Sequence, residues 1–234
     1  MSWRIALIDS CGCHPKARAS AAFVSEGGCV RRREADLDHT GHGTRIAEIL
    51  TRSGGFMDLV LAQVFIGGLP ASAATVAAAV EWATMQGANL LHLSLGLTAD
   101  RAVLREAVSR ALDSGVLVVA ASPARGQKVF PAAYPGLIAA TGDARCAPGE
   151  LSRLGPRLFG GCPHGAAERL DDRPSSGGAS IGATWVSRAI LDLPPGIDTA
   201  GCLELLDSKA IYRGPEHRAY ATAPRCSETL TELK

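Results

Sequence analysis

GGASIGATWVSRAIL, from Gly177 to Leu191, sets two glycines and an alanine ahead of a serine and follows that serine with an apolar helical pattern. Ile181, Trp185, Val186, Ala189 and Ile190 recur at three- and four-residue intervals, the spacing of one buried helical face. The pattern predicts a helix with Ser180 at its N-terminus. Unpaired backbone N–H groups and the positive end of the helix dipole gather there, and both favour an oxyanion formed when a serine attacks a carbonyl. Ser180 is therefore a candidate nucleophile, and it needs a base and a group to orient that base.

Upstream, DHTGHGTRIAEIL (Asp38 to Leu50) leads through Gly41, Gly43 and Thr44 into a helix with Ile46, Ala47, Ile49 and Leu50 on one face. His42 sits at the entrance of that helix, where the dipole disfavours imidazolium and keeps the ring neutral near pH 7. The competing His39 lies before the helix start. Arg4 to Ile8 is an apolar run without alternation, as in a strand covered on both faces, and Asp9 stands at its C-terminal end, the edge where open α/β sheets gather ligands. On the residues alone, the turn-capping reading of Asp9 is the favoured one.

The middle of the chain alternates strands and helices. Leu59 to Phe65, Leu90 to Gly96, Val116 to Ser122 and Leu137 to Thr141 read as strands; Thr75 to Gln86 reads as a helix, and Asp100 is expected to cap another that closes at Gly115. Repeated βα units with right-handed crossovers imply an α/β, doubly wound, mostly parallel sheet with helices on both faces. Ser10 to Asp38 reads as loop, and Ala144 to Ser176 as loops and short strands. Cys202 to Ser208 is a short helix, and residues from Tyr212 onward form an extended tail.

Composition narrows the function classes. Among 234 residues, 24 Lys and Arg balance 23 Asp and Glu, so no basic footprint points to nucleic acid or to an anionic membrane. The IALID run that follows Arg4 is too short for a signal peptide or a membrane span, and membrane insertion is not expected. Seven cysteines at irregular spacings read as reduced thiols, which implies a cytoplasmic protein. Cys11, Cys13 and His14 cluster in sequence, yet no second CxxC or HxxxH accompanies them, so no metal site and no cofactor are expected. The stretch IDSCGCHPKA also lacks the GxGxxG turn of a dinucleotide site.

Three of these stretches, ALIDS around Asp9, HGTRIA around His42 and GGASIGAT around Ser180, resemble those of the subtilisin-like serine proteases in identity and in chain order. AVEWATMQGANLLHLSLG, VLVVAA and FPAAYPGLIAATGD resemble the family's framework between them, so the likeness covers roughly residues 4 to 192. What it implies is a subtilisin-like catalytic domain over 1–192 and a C-terminal extension over 193–234 packed on that domain. It also implies an Asp9–His42–Ser180 triad that hydrolyses peptide bonds. By the same resemblance the strand at Ser94, Leu95 and Gly96 pairs with an extended substrate, and Pro123 forms a wall of its site.

Departures from the family pattern are specific. The usual oxyanion asparagine follows the VLVVAA strand, and here Pro123 and Ala124 fill that region, leaving the Ser180 backbone N–H as the oxyanion donor, with Arg125 or Gln127 as substitutes. Ala179 stands where threonine is usual, Thr184 where proline is usual and Cys11 where glycine is usual. The Thr51 to Asp58 segment is too short and too poor in carboxylates for the family's calcium loop. No export, propeptide or calcium feature is seen, which implies an intracellular processing protease. The compact size resembles a maturation protease that removes a leader from a peptide or protein precursor, such as a crosslinked precursor subunit. The alternative reading is a degenerate fold that binds a peptide without cutting it.

Overall fold

The computed structural model describes residues 2–52, 57–164 and 178–215. Their elements, in chain order, are β1 (Trp3–Asp9), β2 (Ala17–Glu26), β3 (Cys29–Arg33), α1 (His42–Leu50), β4 (Met57–Gln63), α2 (Ala73–Met85), β5 (Leu90–Leu93), α3 (Ala102–Asp113), β6 (Leu117–Ala121), β7 (Ile138–Gly142), β8 (Leu151–Arg153), β9 (Leu158–Gly161), α4 (Gly178–Leu191), α5 (Thr199–Lys209) and β10 (Ala210–Arg213). The strands form one sheet in the order β10-β8-β9-β7-β6-β5-β1-β4-β2-β3. Pairing is parallel except for β2 with β3 and β8 with β9.

Continuous apolar strands have two faces to bury, and the core is accordingly double. On one face Ala6, Ile8, Val60, Leu91 and Val118 pack under Val76, Val80, Leu104 and Val108 of α2 and α3. On the other, Ile5, Leu7, Leu61, Val119 and Phe159 pack under Ile46 of α1, Ile181, Val186 and Ile190 of α4, and Cys202 and Leu206 of α5. This is the α/β doubly wound arrangement that the alternating periodicity predicts.

The Ser10 to Asp38 segment differs from its loop reading. It folds as the β2–β3 hairpin, with Ala22 opposite Arg33 and Glu26 opposite Cys29. β2 adds in parallel to β4 and buries only its middle, Ala21 to Phe23. Small Ala and Ser residues and an arginine run mask the alternation there, while Gly27 and Gly28, at φ 56° and 80°, supply consecutive left-handed residues for the turn. At α3 the N-cap is Arg101 and not Asp100, and no side chain caps the helix. Asp100 instead accepts from the Tyr134 hydroxyl at 2.9 Å and from Arg105 at 2.6 Å. The helix read at Cys202 to Ser208 is longer, with Asp198 accepting from Gly201 N as its cap. Tyr212 lies in β10, which pairs with β8, so the tail reading fails there. For the reading of Ala144 to Ser176, β8 and β9 supply the short strands, and residues 165–177 lie outside the described residues, as do 216–234 of the tail.

Candidate active site

β1 and β5 are parallel neighbours whose C-terminal ends, with the start of α1 and the first turn of α4, meet at one rim of the sheet. Asp9 ends β1 fully buried. Its Oδ1 accepts from Ser10 N at 2.5 Å and from Ser10 Oγ at 2.9 Å, and it lies 2.9 Å from His42 Nδ1. A carboxylate there requires the proton on Nδ1, leaving Nε2 as the basic nitrogen of the ring. That hydrogen bond raises the His42 pKa above the ordinary histidine value; burial opposes the shift and the negative charge of Asp9 reinforces it. The helix dipole therefore does not govern the ring, contrary to the expectation from its place at the start of α1. A buried carboxylate in direct contact outweighs a helix end.

The turn that carries His42 is fixed by a residue the sequence reading passed over. Asp38 Oδ1 accepts from Thr40 N and Gly41 N, and Oδ2 accepts from Thr44 N and Thr44 Oγ1, both at 2.8 Å. Burial alone would raise the pKa of Asp38, yet hydrogen bonds from Thr44, Thr40 and Ser10 outweigh it and hold the carboxyl at about 2. Ser10 joins the two halves: its hydroxyl reaches Asp9 and accepts from Gly43 N at 3.0 Å. Gln63, across from Asp9 in β4, donates to Ser10 O at 2.9 Å and accepts from Asp36 N at 2.9 Å. These contacts join positions 27 to 53 residues apart, so no local sequence signal could reveal them.

Ser180 lies in the first turn of α4, and its hydroxyl donates to the Ser94 carbonyl at 3.4 Å. Asp9, His42, Ser94 and Ser180 line one cavity of about 450 Å³, walled on its apolar side by Phe65, Leu69 and Pro70. A second cavity, of about 290 Å³, adjoins Ser180 and is lined by Ser94, Leu95, Gly96, Pro123 and Val129. The expected substrate-pairing residues thus share a cavity wall with Ser180. Ala124 does not line either cavity; with Arg125 it lines a separate one of about 220 Å³ beside Thr141 and Asp143.

The remaining candidates stand apart from this site chemistry. Cys11 is buried beneath the α1 entrance, and burial pushes its thiol up to about 11. His14 Nδ1 accepts from Lys16 N. Among the described residues no group of three or more His, Cys, Asp or Glu side chains is arranged to hold a metal ion, and no helix is long and apolar enough to cross a membrane.

Comparison with known proteins gives this geometry a context. No family model matches the chain. The thermostable alkaline protease of Halalkalibacterium halodurans is 31% identical over 170 residues, covering 66% of this chain and 45% of that protein. Subtilisin Savinase of Lederbergia lenta is 31% identical over 150 residues, covering 58% of this chain and 54% of that protein. Among solved structures, one described as "S41 Psychrophilic Protease" superimposes with a TM-score of 0.66 at 17% identity, covering 91% of this chain and 85% of that one. The fold is subtilisin-like. The prenylagaramide maturation protease PagA also superimposes, with a TM-score of 0.51 at 18% identity over 80% of this chain and 73% of that one. The two curated relatives are described as an alkaline protease and a subtilisin, and the structural neighbours share the fold. The chain spans about half the length of the two curated relatives.

Proposed function

We propose that this subtilisin-like chain is a serine endopeptidase that cleaves a specific peptide or protein precursor. The observation that carries the reading is the Asp9–His42 hydrogen bond at 2.9 Å on the wall of a cavity that Ser180 also lines. In this reading Ser180 turns its hydroxyl from the Ser94 carbonyl toward His42 Nε2, which takes the proton as Oγ attacks the substrate carbonyl. Asp9 holds the tautomer and stabilises the imidazolium, which then protonates the leaving amine. Water, deprotonated by His42, hydrolyses the acyl-enzyme. The Ser180 backbone N–H, in the first turn of α4, donates to the oxyanion, and Pro123 and Ala124 add no side-chain donor.

An extended substrate pairs with Ser94, Leu95 and Gly96, with Pro123 forming a wall of the subsite. The proposal places this activity in a catalytic domain of residues 1–192, with 193–234 as an extension of the same domain. Leader removal is the favoured task, and the likeness to a protein described as a maturation protease supports it. A leader on a crosslinked precursor subunit, of the type found in quinohemoprotein amine dehydrogenase, is the narrower form. The described cysteines are unpaired, which favours the reducing cytoplasm. Incubating candidate precursors with wild-type and Ser180→Ala protein, followed by mass measurement, tests the reading. Discrete cleavage by the wild type alone is expected, and equal products from both would refute it.

One observation favours a second reading, a peptide-binding module: the position of the usual oxyanion asparagine holds Ala124, whose side chain cannot donate. Tight binding of a precursor that is never cut would select it.

A further inference from the structure

His92 is a fully buried histidine that the proposed chemistry does not use. It lies on β5 opposite Leu7 of β1, and Ile8 pairs with Leu93. Side chains alternate along a strand, so Asp9, two residues beyond Leu7, and Ser94, two beyond His92, fall on the same face of the sheet as His92. This is the face that α4 covers, and His92 Nδ1 meets Ser187 Oγ of α4 at 2.8 Å.

Three buried polar atoms on this face, Asp9 Oδ2, His92 Nε2 and Ser94 Oγ, have no hydrogen-bond partner among the described residues. Buried polar atoms without partners are uncommon enough that each calls for a physical account. Their chemistry is complementary. Among the described residues Ser187 Oγ has no hydrogen bond other than that to His92, so its single proton is best spent on Nδ1. The ring proton then resides on Nε2, which becomes a donor without an acceptor. Asp9 Oδ2 is an acceptor without a donor, since Oδ1 takes all the bonds given to that carboxylate. Burial lowers the His92 pKa to about 4, and the charges of Asp9 and His42 act on it as well.

We propose that His92 is a positioning residue for Asp9, with its Nε2–H directed to Oδ2 through one bridging water that the Ser94 hydroxyl also binds. Three polar partners are the number that a buried water ordinarily takes. The donor pins the second carboxylate oxygen, so that Oδ1 remains aimed at His42 when the imidazolium forms. The catalytic significance of this contact rests on the serine-peptidase reading; the contact itself does not.

Two measurements test it. In wild-type protein with ¹⁵N-labelled histidine, His92 is expected to be neutral with its proton on Nε2, and its Nε2–H resonance should move in the Asp9→Asn variant. A proton on Nδ1, or a resonance indifferent to Asp9→Asn, overturns the proposal without reference to activity. In the second, His92→Leu should lower kcat about 10- to 100-fold with KM unchanged, as expected for losing a hydrogen bond to a charged group. His92→Gln, whose amide keeps a donor near the Nε2 position, should recover most of that loss. Equal kcat in wild type and His92→Leu, or equal losses in the Leu and Gln variants, would refute the positioning role. Failure of the peptidase reading is distinguished by an inert wild type whose His92 resonances still behave as expected.

Discussion

Gly43→Ala is the sharpest perturbation of the rim, because the second residue of α1 approaches the end of β1 with no room for a methyl group. A Cβ at this position would lie 2.3 Å from Cys11 N, 2.8 Å from Cys11 Cβ and 2.9 Å from Asp9 Oδ1. Ordinary contact begins at 3.4 Å, so relief against the Cys11 backbone requires a retreat of about 1.1 Å. The neighbouring residue is His42, whose bond to Asp9 is 2.9 Å long. A shift of that size takes the pair out of hydrogen-bond range and also strains the Gly43 N to Ser10 Oγ bond. Displacement of a catalytic group by about 1 Å costs on the order of 10²-fold in rate, and overpacking costs roughly 1–3 kcal/mol of stability. Peptide hydrolysis under saturating substrate and urea denaturation of the same preparation read the two effects separately. A Gly43→Ala protein with wild-type rate and wild-type midpoint would show that the α1 entrance does not fix His42 against Asp9.

Other consequences are equally direct. Because Asp9 raises the His42 pKa, imidazolium persists to higher pH than in a free histidine; the acid limb of kcat/KM should have its midpoint above about 6.5 and move down in Asp9→Asn. The stabilising contribution of that pair is full below the ordinary histidine pKa and lost as pH rises through the folded value, which thermal melts across that range will detect. Asp38 is held at about 2, so its contribution to the turn is present above the ordinary carboxylate pKa and is lost only as pH falls toward that value; amide exchange at Gly41 and Thr44 reports it. Because Ala124 lines a cavity separate from the two at Ser180, Ala124→Asn should leave turnover within a few-fold of wild type; a rise toward the roughly 10²- to 10³-fold that one oxyanion donor contributes in a subtilisin would show that the position faces the oxyanion. Phe159, a fully buried residue of β9 in the core that α4 covers, should cost about 3–5 kcal/mol when changed to Ala, read by denaturant unfolding.

The parts of the fold legible in the sequence are those where a local pattern carries the information. α2, α4 and the central strands announce themselves by periodicity because each buries a continuous apolar face. The β2–β3 hairpin does not, since its buried middle is only Ala21 to Phe23 and its outer strand is CVRRR; the Gly27-Gly28 turn was its one clear signal. At the site, Asp9, His42 and Ser180 are visible as residues at element ends, and the family resemblance gives them joint meaning. Asp38 bonds to Thr40, Gly41 and Thr44, two to six positions on, so its signal is local, an acidic residue just ahead of α1. Gln63, His92 and Ser187 are illegible for a different reason. Their work is done through hydrogen bonds across the fold, as in the His92–Ser187 contact spanning 95 positions. The direction of the His42 shift was missed likewise, because the distance to Asp9 decides it and no spacing encodes that distance.

Treatment of the folded protein with a fluorophosphonate, followed by mass mapping of the modified peptide, most directly tests whether Ser180 is an activated nucleophile. A single adduct on Ser180 that disappears in His42→Ala is expected. A folded, substrate-accessible protein that takes no label at Ser180, or takes it equally without His42, would contradict the account.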